Sequence, residues 1–94
     1  MKVESKTIRT LGRFIVSDPD IRQGRPVIRG TRIMASDVLE LVEQGISWNH
    51  IVDEWRGQVS IEAIAECVRL ASQALSENSG RGIVKRTKGA RVIA

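Results

Sequence analysis

The sequence predicts a mainly α fold, in which short N-terminal strands or a hairpin precede a three-helix bundle. Three observations predict it. Two short apolar runs between Arg13 and Met34 are punctuated by Asp18-Pro19-Asp20, Gly24, Pro26 and Gly30; Ser36, Ser47 and Ser60 each stand just ahead of an apolar-periodic stretch; and Gly45 and Gly57 close two of those stretches. At 94 residues there is chain for one small domain, and with 41% apolar residues but two Trp, one Phe and no Tyr its core must be aliphatic.

Residues 1–12 read as a basic arm, with a short, poorly specified strand possible over Thr7 to Leu11. Arg13-Phe14-Ile15-Val16 is the first firm strand, stopped by Ser17-Asp18-Pro19, where proline removes a donor and pushes its predecessor out of the helical region. Pro26 to Met34 then reads as a tight hairpin bent at Gly30, the residue there that adopts a left-handed conformation without steric cost.

Helix one is expected at about 36 to 44, with Ser36 as N-cap, Val38, Leu39, Leu41 and Val42 as its apolar face and Gly45 as the residue that ends it. Helix two, about 48 to 56, follows the cap Ser47, carries Ile51, Val52 and Trp55, and stops at Gly57. Helix three, about 61 to 77, follows Ser60 and holds a stripe of Ile61, Ile64, Ala65, Val68, Ala71 and Leu75. Trp48 and Trp55 are expected to pack against helices one and three. The domain therefore spans 13–77, and residues 78–94 read as a basic tail.

Charge is segregated along this chain. Residues 1–34 hold eight Lys/Arg against three acids, residues 35–77 two against eight, and residues 78–94 five against none, within a net charge of +4. That asymmetry points to a basic surface for nucleic acid or an acidic protein, carried at the ends and not on the helical middle. No apolar run has the length of a membrane span and Met1 to Thr10 lacks the apolar middle of a secretory signal, so a cytoplasmic protein is expected.

The chemistry of enzymes finds little to stand on. One Cys and one His cannot build a four-ligand zinc site from those residue types, and no cofactor or metal is expected. His50 sits near the start of helix two without a nucleophile and orienting acid, Cys67 lies beside the helix-three stripe, and Gly24 to Thr31 lacks the Lys and following helix of a phosphate-cradling loop. Binding is the expected activity, not turnover.

Helix two, the connection from Gly57 to Ser60 and helix three have the proportions of a helix-turn-helix, which a plain three-helix bundle shares. Both readings stand on pattern. The outward positions of helix three read as Glu62, Glu66, Arg69, Gln73 and Glu77; carboxylates repel phosphates, so this helix alone would read DNA poorly, with Arg69 and Gln73 its usable side chains. Phosphate contacts then fall to Arg25, Arg29 and Arg32, which read equally as solvated hairpin charges or as a patch gripping phosphate or carboxylate.

The run IVSDPDIRQGRPVIRGTRI resembles the bacterial family called domain of unknown function 433, whose members are often described as VapB-like antitoxins. The match falls on Ile15, Asp18, Pro19, Ile21, Gly24, Arg25, Pro26, Ile28, Gly30, Thr31 and Arg32, and the similarity extends over about residues 14 to 76. The resemblance implies a homeodomain-like three-helix fold, a homodimer, and the antitoxin half of a toxin-antitoxin pair whose toxin is a PIN-like ribonuclease. Trp48 and the basic tail depart from the family pattern.

Function is therefore expected to be neutralisation of a PIN-like toxin together with binding of operator DNA as a dimer, the DNA being met by Arg25, Arg29, Arg32, Arg69 and Gln73. The tail residues Lys85, Arg86, Lys88 and Arg91 would meet the carboxylate-lined site of the nuclease. The alternative is a protein-binding adaptor without DNA-binding activity, in which the arginines only stabilise the hairpin.

Overall fold

The computed structural model describes residues 7–79. Three short antiparallel strands, β1 (Arg9–Thr10), β2 (Ile15–Ser17) and β3 (Val27–Ile28), form one sheet in that order and lead into α1 (Ala35–Glu43), α2 (Trp48–Glu54) and α3 (Ile61–Ser79). The mainly α architecture with strands ahead of three helices is as expected. β1 falls within the segment read as an arm and pairs with β2, Thr10 opposite Val16.

Between β2 and β3 the register sets Ile15 against Ile28 and Val16 against Val27, all four buried. The bend after β3 has the chemistry expected of Gly30, which sits at φ +79° while Thr31 N–H donates to the Ile28 carbonyl at 3.0 Å. Thr31 locks it from the side: its hydroxyl donates to the same carbonyl and accepts from Ile33 N–H, each at 2.9 Å. The return limb is a single bridge, Val27 to Met34, and not a strand, because α1 begins at the next residue.

Two of the three serine caps form. Ser47 Oγ accepts from His50 N–H at 3.1 Å and Ser60 Oγ from Ala63 N–H at 3.0 Å, each satisfying a donor that the first turn leaves without a partner. Ser36 does not cap: it lies inside the first turn of α1, and Met34 is the flanking residue, with no side-chain cap. The start of α1 is fixed instead by the Ala35 N–H bond to the Pro26 carbonyl, which docks the helix on the hairpin.

Both short helices end in a Schellman arrangement. In α1, Gly45 (φ +83°) donates to Val42 O and Ile46 to Leu41 O. In α2 the left-handed residue is Arg56 (φ +48°), donating to Asp53 O while Gly57 donates to Val52 O, so the stop falls one residue before the glycine expected to make it.

Ile15, Ile28, Val38, Ile51, Val59, Ala63, Ile64 and Cys67 form the centre of the core, with Trp55, Leu39, Leu41, Val42 and Leu70 packed around it. Three expectations are corrected here. Trp48 is 36% exposed and stands outside that cluster, whereas Trp55 packs as expected. The α3 stripe is rotated: Ala63, Ile64 and Cys67 face the core, while Ile61, Ala71 and Leu75 are exposed. Glu66, read as an outward carboxylate, is 4% exposed and faces the hairpin.

Candidate functional site

The nine residues of α1 and the seven of α2 are too short to cover the nineteen of α3, which at 1.5 Å rise per residue runs well past them. Its second half, from Ala71 to Asn78, is exposed throughout. Against it stand Leu39 of α1 and Leu11 of the hairpin, and together with Leu70, Ala71 and Ala74 they line an open cavity of about 580 Å³ that is mainly apolar. Arg25, Gln73 and Glu77 lie along its edge. An acidic trough adjoins it across Leu39 and Ala71, bearing Asp37, Glu40 and Glu43.

A second concavity, of about 470 Å³, opens on the hairpin and is predominantly polar. Its wall is the turn Arg22–Gly24, where φ is +51° at Arg22, +56° at Gln23 and +82° at Gly24. Three successive left-handed residues, two of them not glycine, reverse the chain sharply. Ser17 Oγ donates to the Gly24 carbonyl at 2.6 Å and clamps that turn to β2. Arg22, Arg25 and Arg32 line the concavity together with Asp20.

The five residues expected to meet DNA therefore separate. Arg25 and Arg32 share the polar concavity. Arg29 is drawn elsewhere: its Nε donates to the Arg13 carbonyl at 3.0 Å and Nη2 to the Gly12 carbonyl at 3.4 Å, so it braces the hairpin. Arg69 pairs with Glu66 at 3.2 Å. Gln73 edges the apolar groove, next to which Arg25 also lies. Lys85, Arg86, Lys88 and Arg91 lie outside the described residues.

Two contributors escape a reading of sequence. Arg22 joins the concavity only because its backbone is left-handed, and no residue type announces that at an arginine. The groove has a signal that could have been used: the apolar positions of α3 continue beyond the length that α1 and α2 can cover. Among the described residues no cluster of three metal-ligating side chains occurs, and no helix is long and apolar enough to cross a membrane.

The chain is a hairpin-led three-helix domain that carries an uncovered apolar groove and a concavity lined by arginines. The family model described as "Protein of unknown function (DUF433)" matches residues 15–71, and the chain belongs to that family. It is also 40% identical over 69 residues to "Uncharacterized protein y4eO" of Sinorhizobium fredii (strain NBRC 101917 / NGR234), an alignment covering 73% of this chain and 29% of the relative. The chain thus spans less than a third of the curated relative it matches. No solved structure matches it.

Proposed function

We propose that this protein is the antitoxin of a bacterial toxin-antitoxin pair, a cytoplasmic homodimer with a homeodomain-like helical unit that seats a PIN-like ribonuclease and touches operator DNA. The observation that carries the reading is the apolar groove along the second half of α3, a concave surface of about 580 Å³ on so small a domain. Large apolar concavities rimmed by charge are where helices of protein partners dock. The toxin is the occupant the reading commits to, with the hairpin arginines left for polyanion.

A second reading, a protein-binding adaptor without DNA-binding activity, is favoured by one specific observation. The exposed residues at the start of α3 are Ile61 and Glu62, and Arg69 is engaged with Glu66, so the helix offers few side chains that read base edges. Salt separates the readings, because binding carried by several arginines weakens steeply as salt rises.

The test is co-expression with the product of the adjacent gene, followed by co-purification and a promoter-shift assay at low and high salt. Ala71→Glu and Ala74→Glu each put a charge into the groove at an exposed helical site, so folding persists by circular dichroism while the complex is lost. A partner that binds both variants as tightly as the wild type removes the groove assignment. Conversion of a dimer to a monomer by the same variants, with toxin binding intact, would assign the groove to a second copy. No shift of the promoter at low salt, with or without the partner, leaves the adaptor.

A further inference from the structure

We propose that the concavity lined by Arg22, Arg25 and Arg32 is a binding site for a single phosphate group. The inference deepens the polyanion half of the reading above and rests on it only for the physiological source of that phosphate.

The site is built, not merely basic. Residues 22 and 25 line one concavity because the backbone between them turns through three left-handed residues, a conformation that is unfavourable at Arg22 and Gln23. The turn is held from two sides, by Ser17 Oγ on the Gly24 carbonyl and by Arg22 Nε on the Arg32 carbonyl at 3.1 Å. The second bond spends one nitrogen of Arg22 on positioning. It fixes the remaining fork of that guanidinium beside the segment that carries Arg32.

Charge within the concavity is unbalanced. Three guanidinium groups line it together with one carboxylate, that of Asp20. Like charges gathered on one surface repel unless an anion joins them. Arg29, equally close in sequence, is not available, since its guanidinium is committed to the Gly12 and Arg13 carbonyls. Selection of three arginines out of four is a property of the fold and not of composition.

Phosphate fits this geometry better than other anions. A guanidinium presents a planar fork of donors that engages two oxygens of one group, and phosphate offers more oxygens in more directions than a carboxylate does. The concavity is open and polar, so the phosphate can be terminal, free or part of a chain. The nearby groove is mainly apolar and suits a different ligand, with Arg25 standing on the edge between the two surfaces.

The experiment is a titration of the full isotope-labelled chain with inorganic phosphate at constant ionic strength, with chloride as the matched control, followed by the amides of Gln23, Gly24 and Arg25 and the Nε–H signals of Arg22 and Arg32. These signals move together and saturate, and Arg25→Gln and Arg32→Gln each weaken binding by about tenfold or more, as loss of a charge-assisted fork requires. Arg69→Gln leaves binding unchanged. Both concavity substitutions are at exposed side chains, and unchanged spectra elsewhere verify the fold.

A short DNA duplex identifies the source. If it moves the same signals and phosphate displaces it, the site takes a backbone phosphodiester. If phosphate binds and the duplex moves nothing, the site takes a free phosphate, and the operator claim fails while the pocket stands. Equal shifts with chloride, or wild-type affinity in Arg25→Gln and Arg32→Gln, overturns the proposal. Co-purification with the partner reads the groove alone, so the two claims fail separately.

Discussion

The carboxylate of Glu66, in the second turn of α3, accepts the backbone N–H of Phe14 at 2.5 Å, and its other oxygen accepts Arg13 N–H at 2.7 Å. One side chain thus satisfies two donors in the hairpin, 52 and 53 residues away in sequence. Arg69 supplies the countercharge from one helical turn further on, with 57% of its side chain in solvent, so the pair itself adds little and the buried hydrogen bonds carry the stabilisation. Glu66→Ala would leave two backbone donors without acceptors and cost about 2–4 kcal/mol, a large share of the roughly 5–15 kcal/mol of a small domain. Glu66→Gln, which keeps one acceptor, should fall between. Denaturant unfolding measures both, and a Glu66→Ala loss below about 0.5 kcal/mol would show that the contact is incidental.

Gly12 is tied to the same carboxylate by shape. A Cβ built on it would sit on the Glu66 carboxylate, and because Gly12 is outside the left-handed region the obstacle is steric and not conformational. Gly12→Ala is therefore expected to cost about 1–3 kcal/mol by overpacking. The double variant with Glu66→Ala should lose less than the sum of the two single losses, since each substitution removes what the other disturbs. Strict additivity in that cycle would place the cause of the Gly12 effect elsewhere.

Arg56 occupies the left-handed position that ends α2, at φ +48°. An L-residue with a long side chain pays for that conformation, while glycine adopts it freely. Arg56→Gly is expected to stabilise the domain by about 0.5–1 kcal/mol, raising Tm by about 2–8 °C. The same exchange at Gly45, made in reverse as Gly45→Ala, should lower Tm, because that site is left-handed at φ +83°. A destabilised Arg56→Gly would mean that the arginine makes up for its backbone through contacts of its side chain.

Much of this fold is legible in the sequence, and the parts that are not share a cause. Ser47, Ser60, Gly30 and Gly45 act through local rules of capping and turning, and each does what its residue type and position predict. Glu66 follows no such local rule: on a helical wheel it falls beside Glu62 and Arg69, and only the distant hairpin turns it inward. Its burial depends on contacts that no window of sequence contains. The arginines divided likewise. The clustering of Arg25, Arg29 and Arg32 is evident in the sequence, but that Arg22 joins two of them in a concavity depends on the left-handed turn at Arg22 and Gln23, and on the carbonyls that draw Arg29 away. Helix three was found with nearly its full extent, whereas its unpartnered second half emerged only from comparing its length with that of its neighbours.

Cys67 gives the fold a dependence on alkaline pH. Its side chain is 2% exposed in the core, and burial, reinforced by the neighbouring Glu66 charge, pushes the thiol up from 9.0 to about 11. The folded state thus keeps the proton that the unfolded chain releases. Below pH 9 both states hold it, and the contribution to stability is fully present; between pH 9 and about 11 only the unfolded state ionises, and that contribution is lost as pH rises. The loss across the window is on the order of 2–3 kcal/mol. Lysines titrate over the same range, so the measurement is a difference: unfolding free energy against pH for the wild type and for Cys67→Ala. The two curves should run parallel below pH 9 and converge above it, as the wild type alone loses the thiol's contribution. Parallel curves throughout, or a thiol in the native protein that reacts with a disulfide reagent at pH 8 as fast as in the unfolded chain, would show that Cys67 is not sequestered as described.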